Sequence, residues 1–404
     1  MFVGQLGAKF LSFFGTLVAV RSLGPAEIGN AGIVLAAAGI LGVLTGMGVD
    51  VIGPRLVNKA LDAAKKKEIA IGLFALRGLA ASTGMIFLPL YVISHEDSSL
   101  LSTAVIGGLL MIANSLGPQF AFQGFGIIDR FPMVQIGTSL IAVPAFLLVA
   151  FCWPKAEGFL LAQTFAGIIA FFIGSRILGI LPISWPSLNL GETARSLFSR
   201  EGRSAWLGNI AIFGFAQGDV LSVSLFCGEL ELGNFNAALT VVSAANSLLL
   251  IVPTVIYTRQ IKWICEGTES FRRKQARLLC VVFWSSIIGA VVTATIAIPL
   301  SRVLLGPSFE TAPVISGVIL AVALFNTTYS VMVAAINALG KSWKNVHVTL
   351  LISALAVFAY PFSAKVFGIE GVLAAKCMLI VIMTCLQFVQ YKKVIVALTN
   401  LKPE

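Results

Sequence analysis

The residues of this sequence most able to do chemistry are charged side chains inside apolar segments, above all Asp219, Lys9, Arg77 and Lys376. A charge placed there is costly, so it marks a substrate path, an ion path or an ion pair. Asp219 is expected to bind a coupling cation, to cycle a proton, or to pair with a base in the facing half of the protein. A static salt bridge that holds helices together is the structural alternative.

The three bases differ in their surroundings. Lys9 shares a helix face with Gln5, which predicts a polar stripe facing the protein interior. For Arg77, facing a cavity and extending to the inner interface are both open. Lys376 has no polar companion at helical spacing. An excess of bases over acids at membrane depth favours an anionic ligand.

Two further arginines occupy equivalent places in an internal repeat. Residues 24–30, Gly-Pro-Ala-Glu-Ile-Gly-Asn, return at 228–234 as Gly-Glu-Leu-Glu-Leu-Gly-Asn, and the same gapless offset superimposes Arg55 on Arg259. Guanidinium groups bind phosphate oxygens with two parallel hydrogen bonds, so this pair could converge on one ligand, with Tyr257 and Gln260 adding polar contacts. The alternative is that both arginines only fix the membrane topology.

The sequence offers no group of residues suited to catalysis or to metal binding. His95 and His347 have no serine, cysteine or carboxylate at a recognisable spacing, and the six cysteines form no C-x-x-C pair. We therefore expect no enzyme, no metal and no cofactor. Cys152 and Cys227 both fall at predicted outer helix ends, so a disulfide between them stays open, although the cysteines are mostly expected to be packing residues.

The elements that must position these residues are membrane-spanning helices. Apolar residues make up 58% of the chain and charged residues 11%, which excludes an ordinary water-soluble surface. Since a span needs about 20 apolar residues, we predict about twelve spans in an all-α integral membrane protein. They lie at roughly 2–20, 29–50, 69–94, 100–125, 133–153, 158–180, 205–226, 232–257, 278–300, 312–339, 345–366 and 368–391.

Charge placement predicts the orientation of these spans. With cytoplasmic N- and C-termini, most bases fall in inner loops, and the outer loops hold only Arg21, Lys155, Arg302 and Lys365. The net charge of +10 then lies against anionic lipid and indicates no nucleic acid partner.

The chain is predicted to divide into two related halves. Residues 1–183 form an N-terminal six-helix lobe, 184–204 a cytoplasmic linker and 205–404 a C-terminal six-helix lobe. Within the linker, Leu197 and Phe198 lie among arginines, which is typical of an interfacial amphipathic helix. Two related halves are the layout of a transporter with its substrate path between them.

The motif Val-Arg-Ser-Leu-Gly-Pro-Ala-Glu-Ile-Gly at 20–29, followed by an apolar span and Gly48-Val49-Asp50, resembles the polysaccharide (O-antigen) flippase family. Asp219 followed by Gly228 and Gly233-Asn234 is similar to the acid-then-glycine pattern of the same family. This family belongs to the multidrug/oligosaccharidyl-lipid/polysaccharide exporter superfamily.

The resemblance implies a V-shaped bundle of two pseudo-symmetric six-helix lobes around a cationic cavity in the cell inner membrane. Such a protein moves a polyprenyl-pyrophosphate-linked oligosaccharide from the inner to the outer leaflet by alternating access. Arg21, Arg55 and Arg259 are the implied substrate-binding residues, with Asp219 as the acidic member. We add Lys9 and Arg77 because of their depth.

Other functions stay open at this point. The runner-up is a drug/cation antiporter of the same superfamily, which would be expected to use several membrane acids. A multispanning glycan polymerase or acyltransferase would normally need a sizeable outer loop or a histidine/carboxylate group. Expected partners are the lipid-linked substrate, membrane lipids, a coupling proton or sodium ion, and a polysaccharide polymerase.

Overall fold

The computed structural model describes residues 2–60, 62–94, 100–180, 190–249, 256–257, 259–260, 263–264, 266–339, 341 and 343–399. Regular secondary structure in these residues is entirely helical. The chain divides into two compact units, Met1–Phe213 and Gly214–Glu404. The predicted linker 184–204 lies partly outside the described residues, so the predicted domain boundaries stay a prediction.

The first unit contains eight helices and the start of a ninth. They are α1 (Phe2–Thr45), α2 (Val49–Lys59), α3 (Ala63–Ser94), α4 (Leu101–Ser115), α5 (Gln119–Gly124), α6 (Phe131–Cys152), α7 (Ala156–Ile177), α8 (Leu190–Leu197) and α9 (Arg200–Phe226). Besides helical residues at 256–257, 259–260 and 263–264, the described part of the second unit holds the rest of α9 and four further helices. They are α10 (Glu229–Leu249), α11 (Thr268–Leu305), α12 (Ala312–Ala338) and α13 (Trp343–Thr399).

Nine helical segments of the described chain are long and apolar enough to cross a membrane. Two of these, Gly7–Lys59 and Trp343–Ala397, have 53 and 55 residues, which is enough for two spans each. Gly24 and Gly368 interrupt them with non-helical backbone angles, Gly24 between the first two predicted spans and Gly368 at the first residue of the last one. The predicted span 232–257 corresponds to α10, and its residues 250–255 lie outside the described chain. The prediction of an all-α, multispanning membrane protein is confirmed.

The repeated sequence forms a repeated turn. Gly24 and Gly228 have φ angles of 77° and 90°, which side chains with a Cβ rarely adopt. In each copy, a side chain of the helix after this glycine accepts a hydrogen bond from the first backbone amide of another helix in the same unit. Glu27 accepts a 2.8 Å hydrogen bond from the Ala156 amide at the start of α7. Asn234 accepts one of 3.3 Å from the Ala312 amide at the start of α12, so the two copies also share a capping role.

The core beside the first unit's charged residues is aromatic. Phe120 and Phe122 on α5 pack with Leu73 and Phe74 on α3. Leu197 of α8 is also buried in this cluster, because α8 packs on α3. A short helix therefore lies where the amphipathic helix was predicted, and it buries Leu197 against the protein, whereas the neighbouring Phe198 is 49% exposed.

Candidate functional site

Arg77 of the first unit forms an ion pair with Asp50. Its Nη1 and Nη2 atoms lie 2.8 and 3.3 Å from the two carboxylate oxygens, so the guanidinium binds with both prongs of its fork. The Arg77 guanidinium also lies 5.9 Å from the ring centroid of Phe120. The Arg77 side chain is only 9% exposed, whereas that of Asp50 is 60% exposed. Arg77 thus forms an ion pair with an acid of another helix, and its side chain does not extend unpaired to the inner membrane interface.

Helix α2 carries Asp50 to this position. Chain direction changes at Gly48, where φ is 70°, and α2 begins at the next residue. Buried residues Val49, Ile52, Gly53 and Val57 lie along one face of α2, at the spacing of an amphipathic helix. A Cβ on Gly53 would lie 2.9 Å from Phe120, so glycine there permits close packing on α5. Asp50 occupies the first turn, where the helix dipole favours an acid.

Asp219 of the second unit forms an ion pair with Lys376. Lys376 Nζ donates to Asp219 Oδ2, and the Val220 amide donates to Oδ1 at 2.8 Å. The Asp219 side chain is fully buried and the Lys376 side chain is 13% exposed. The partner of Asp219 therefore belongs to its own unit, which corrects the expectation of a base in the facing half.

Tyr360 packs beside this pair. The Tyr360 hydroxyl donates to the Phe215 carbonyl at 3.4 Å, and its ring is fully buried. A Cβ on Gly218 would lie 3.0 Å from that ring, so the glycine before Asp219 lets α13 approach α9 closely. The close approach brings Lys376 and Asp219 within reach of each other.

Lys9 lines a cavity of the first unit that has both polar and apolar walls. The cavity has a volume of about 290 Å³ and lies between α1, α6 and the start of α5. Its polar walls are formed by Ser12, Gln119, Gln135 and Thr138. Gln135 Oε1 and Thr138 Oγ1 are buried without a hydrogen-bond partner among the described residues. The Gln5 side chain, predicted to lie on the same helix face as Lys9, is outside the described part of the chain.

The three arginines taken from the resemblance are all exposed. Arg21 lies in the last turn of α1 before Gly24, and Arg55 lies beyond the far end of the helical segment 25–45. That segment is about 30 Å long, so these two arginines cannot bind the same phosphate group. Within the described chain, no acid lies within salt-bridge distance of Arg21, Arg55 or Arg259.

Gln260 corrects a second expectation. It was predicted to contact a ligand beside Arg259, but it is fully buried. Its Nε2 donates to Gln275 Oε1 at 3.0 Å and to the Val331 carbonyl at 3.2 Å. Gln260 therefore anchors the segment that carries Arg259 to α11 and α12.

The two ion pairs also correct the expected excess of interior bases. Arg77 and Lys376, which were counted as unbalanced positive charges, each contact one acid. Sequence reasoning missed Asp50 as a partner, although Asp50 belongs to the motif that carries the resemblance. The sequence carried only a general signal for this partner: a base in an apolar helix requires an acid nearby, and Asp50 lies at the end of an adjacent predicted span.

The five cysteines within the described residues, Cys152 and Cys227 among them, are free thiols.

The comparisons with known proteins agree with this architecture. The family model described as "Polysaccharide biosynthesis protein" matches residues 1–257. The chain belongs to this family. A curated relative from Escherichia coli (strain K12), named "Putative O-antigen transporter", is 24% identical over 398 residues and covers 93% of this chain and 92% of its own. The resemblance predicted from the sequence is thereby confirmed.

Solved structures of the multidrug/oligosaccharidyl-lipid/polysaccharide exporter (MOP) superfamily share the fold of this family member. One is the lipid II flippase MurJ in an inward closed conformation, with a TM-score of 0.74, 13% identity, and coverage of 100% of this chain and 93% of that one. Another is an inward-facing multidrug resistance transporter of the MATE family, with a TM-score of 0.72, 14% identity, and coverage of 98% and 96%. The chain is thus a multi-pass membrane protein that shares its fold with these transporters.

Proposed function

We propose that this protein is a flippase for a polyprenyl-pyrophosphate-linked oligosaccharide, such as an O-antigen or other surface polysaccharide repeat unit. It moves this substrate from the inner to the outer leaflet by alternating access. Membership of a polysaccharide biosynthesis family and the shared fold with a lipid II flippase support the class of substrate.

The observation that carries the proposal is the distribution of unbalanced charge. Asp50 and Asp219 are each bound to a base of their own unit. The predicted site residues with no acid of the described chain within salt-bridge distance are Arg21, Arg55 and Arg259, all of them basic. A pyrophosphate is the complementary ligand, because guanidinium and ammonium groups bind phosphate oxygens strongly.

In this proposal Arg55 and Arg259 hold the pyrophosphate at the inner side. Lys9 and the cavity that it lines contact the first sugars, since hydroxyl and amide groups form part of the cavity wall. Arg21, which lies at the opposite end of the helical segment 25–45 from the helix that carries Arg55, contacts the substrate late in the cycle, near the outer side. Arg77 acts indirectly, because its pair with Asp50 positions the helix that carries Arg55.

A drug/cation antiporter of the same superfamily is the second candidate. It would need an acid that exchanges its partner for a cation, and Asp219 is the residue to do so, by releasing Lys376. The same exchange with a proton or a sodium ion could couple the flippase to an ion gradient. The full burial of Asp219 favours a static pair over a cation-binding acid, because no open carboxylate faces a solute there.

We also propose the cell inner membrane as the location, with both termini in the cytoplasm, because this places most basic loops inside. A polysaccharide polymerase is the proposed protein partner, since it would consume the translocated glycan.

The test is a leaflet-resolved measurement of polyprenyl-linked glycans in cells depleted of the protein. A membrane-impermeant glycosidase trims only outward-facing sugars, so depletion should leave glycans that are protected from the enzyme. Complementation with Arg55→Ala or Arg259→Ala should slow outward exposure by roughly tenfold, the effect of losing a hydrogen bond to a charged group.

Arg130→Ala is the matched control, because Arg130 is exposed and lies at the same predicted face, at the start of α6. It should restore normal exposure at equal protein abundance. Normal outward exposure in the depleted cells would overturn the flippase proposal, and equal activity of all three variants would remove Arg55 and Arg259 from the site.

A further inference from the structure

A groove in the second unit lies between α11 and α13, with α12 as its floor. Both helices pack along α12 but touch each other little, which leaves a cavity of about 860 Å³. Apolar and aromatic side chains form its walls, among them Leu279, Met332 and Phe388. All of the lining of this groove belongs to the second unit.

Two bases stand at one end of the groove, Arg272 on α11 and Lys392 on α13. Lys392 Nζ lies 4.7 Å from the ring centroid of Phe388, and no acid of the described chain lies within salt-bridge distance of it. Arg272 is 3.6 Å from Glu269 in an exposed pair one helical turn away, a contact that contributes little. Most hydrogen-bond donors of this end are therefore available to an anion.

The length of the groove matches one leaflet of a bilayer. Its lining on α11 runs from Arg272 to Trp284, a rise of about 18 Å. Half of a hydrocarbon core is about 15 Å thick. At the end far from the bases stand Phe283, Trp284 and Phe325, with Phe283 at 5.6 and 6.2 Å from the other two ring centroids. The groove is thus basic at one end, aromatic at the other, and one leaflet deep.

We propose that this groove binds one anionic phospholipid of the surrounding membrane. Its phosphate lies between Arg272 and Lys392, and an acyl chain lies along the apolar wall. Basic pockets between membrane helices on the cytoplasmic side are suited to anionic lipid head groups. A polyprenyl phosphate has a similar phosphate head group. The apolar wall of the groove is only about as long as one leaflet is thick, so it matches the acyl chain of a phospholipid better than a polyprenyl chain. This site is separate from the proposed transport function.

The test is native mass spectrometry of the purified full-length chain in detergent micelles that contain phosphatidylglycerol, with zwitterionic phosphatidylcholine as the reference lipid. We expect one phosphatidylglycerol to bind saturably and phosphatidylcholine to bind at least about tenfold more weakly. Arg272→Ala/Lys392→Ala should weaken phosphatidylglycerol binding by roughly thirtyfold, the effect of two basic residues near an anionic lipid.

The matched control is Arg273→Ala/Lys393→Ala, which removes the same charge at neighbouring exposed positions outside the groove lining. It should change binding by less than about threefold, because these side chains act only through the general field. Ala276→Trp keeps both bases and fills the groove, so it should weaken lipid binding while leaving the charge unchanged.

Three outcomes would overturn the proposal. Equal weakening by the two double variants would reduce the effect to general inner-face charge. Unchanged binding in Ala276→Trp would show that no chain occupies the groove. Displacement of phosphatidylglycerol by a smaller amount of polyprenyl phosphate would reassign the groove to the tail of a lipid-linked substrate.

Discussion

In the unit Met1–Phe213 the buried member of the ion pair is the base, Arg77, whereas in Gly214–Glu404 it is the acid, Asp219. The exposed carboxylate of Asp50 neutralises Arg77 from the edge of the fold. Lys376 neutralises Asp219 from within the helix bundle, where both partners are largely removed from solvent. The same electrostatic requirement is therefore met by an exposed acid in the first unit and by a largely buried base in the second.

This comparison shows which residue of each ion pair should destabilise the protein more when it is replaced. The free-energy cost of breaking a pair comes mainly from the charge that stays buried without compensation. In the first unit that charge belongs to Arg77, so Asp50 is the critical residue. In the second unit it belongs to Asp219, so Lys376 is critical. Paired variants test this reversal directly.

The largest effect is expected in the second unit. Lys376→Met leaves Asp219 fully buried with only the Val220 amide as a hydrogen-bond donor among the described residues, so it should destabilise the protein by about 3 kcal/mol or more. Thermal unfolding in detergent measures the loss. Asp219→Asn/Lys376→Met removes both charges and should recover most of the stability, whereas a double variant as unstable as the single one would contradict the ion-pair explanation.

The same double variant separates a static pair from a coupling site. Recovered stability together with recovered glycan translocation would make the pair structural. Recovered stability with lost translocation would make Asp219 a coupling residue, because the membrane-embedded acid would then be needed for the cycle and not for the fold.

A smaller effect with the opposite asymmetry is expected in the first unit. Asp50→Asn leaves the Arg77 guanidinium buried beside Phe120, and its Nε already lacks a partner among the described residues. We expect a loss of about 2 kcal/mol, below that of Lys376→Met because solvent screens the exposed carboxylate. Arg77→Met leaves only an exposed acid and should cost about 1 kcal/mol or less. An Arg77→Met protein less stable than Asp50→Asn would contradict the proposed dependence on the buried partner.

The spans were predictable because their signal is local: about 20 apolar residues in a row, bounded by turns such as Gly24-Pro25. The repeat and the family motif were also readable as consecutive residues. The partners within the ion pairs were not predictable, since Lys376 lies 157 residues from Asp219 in the chain and contacts it where Gly218 packs closely against the Tyr360 ring. The break at Gly48, which places Arg55 on a separate helix, depends on the packing of α2 against α5.

The smallest effect concerns two cysteines at helix ends, one in each unit. Burial raises the pKa of Cys227 to about 11, and the nearby Glu231 carboxylate adds to the shift, whereas Cys152 is exposed at the end of α6. A pKa raised by two units lowers the thiolate fraction near neutral pH by roughly a hundredfold, and the higher nucleophilicity of that thiolate offsets about tenfold of this. In a chain whose other four cysteines are serine, maleimide should therefore modify Cys227 roughly tenfold more slowly than Cys152 at pH 8.

The rate of maleimide modification at Cys227 should keep rising as the pH is raised towards 11. Glu231→Gln should speed the reaction slightly, because burial, the larger cause of the shift, remains. Equal rates at the two thiols would show that the end of α9 is as open as the end of α6.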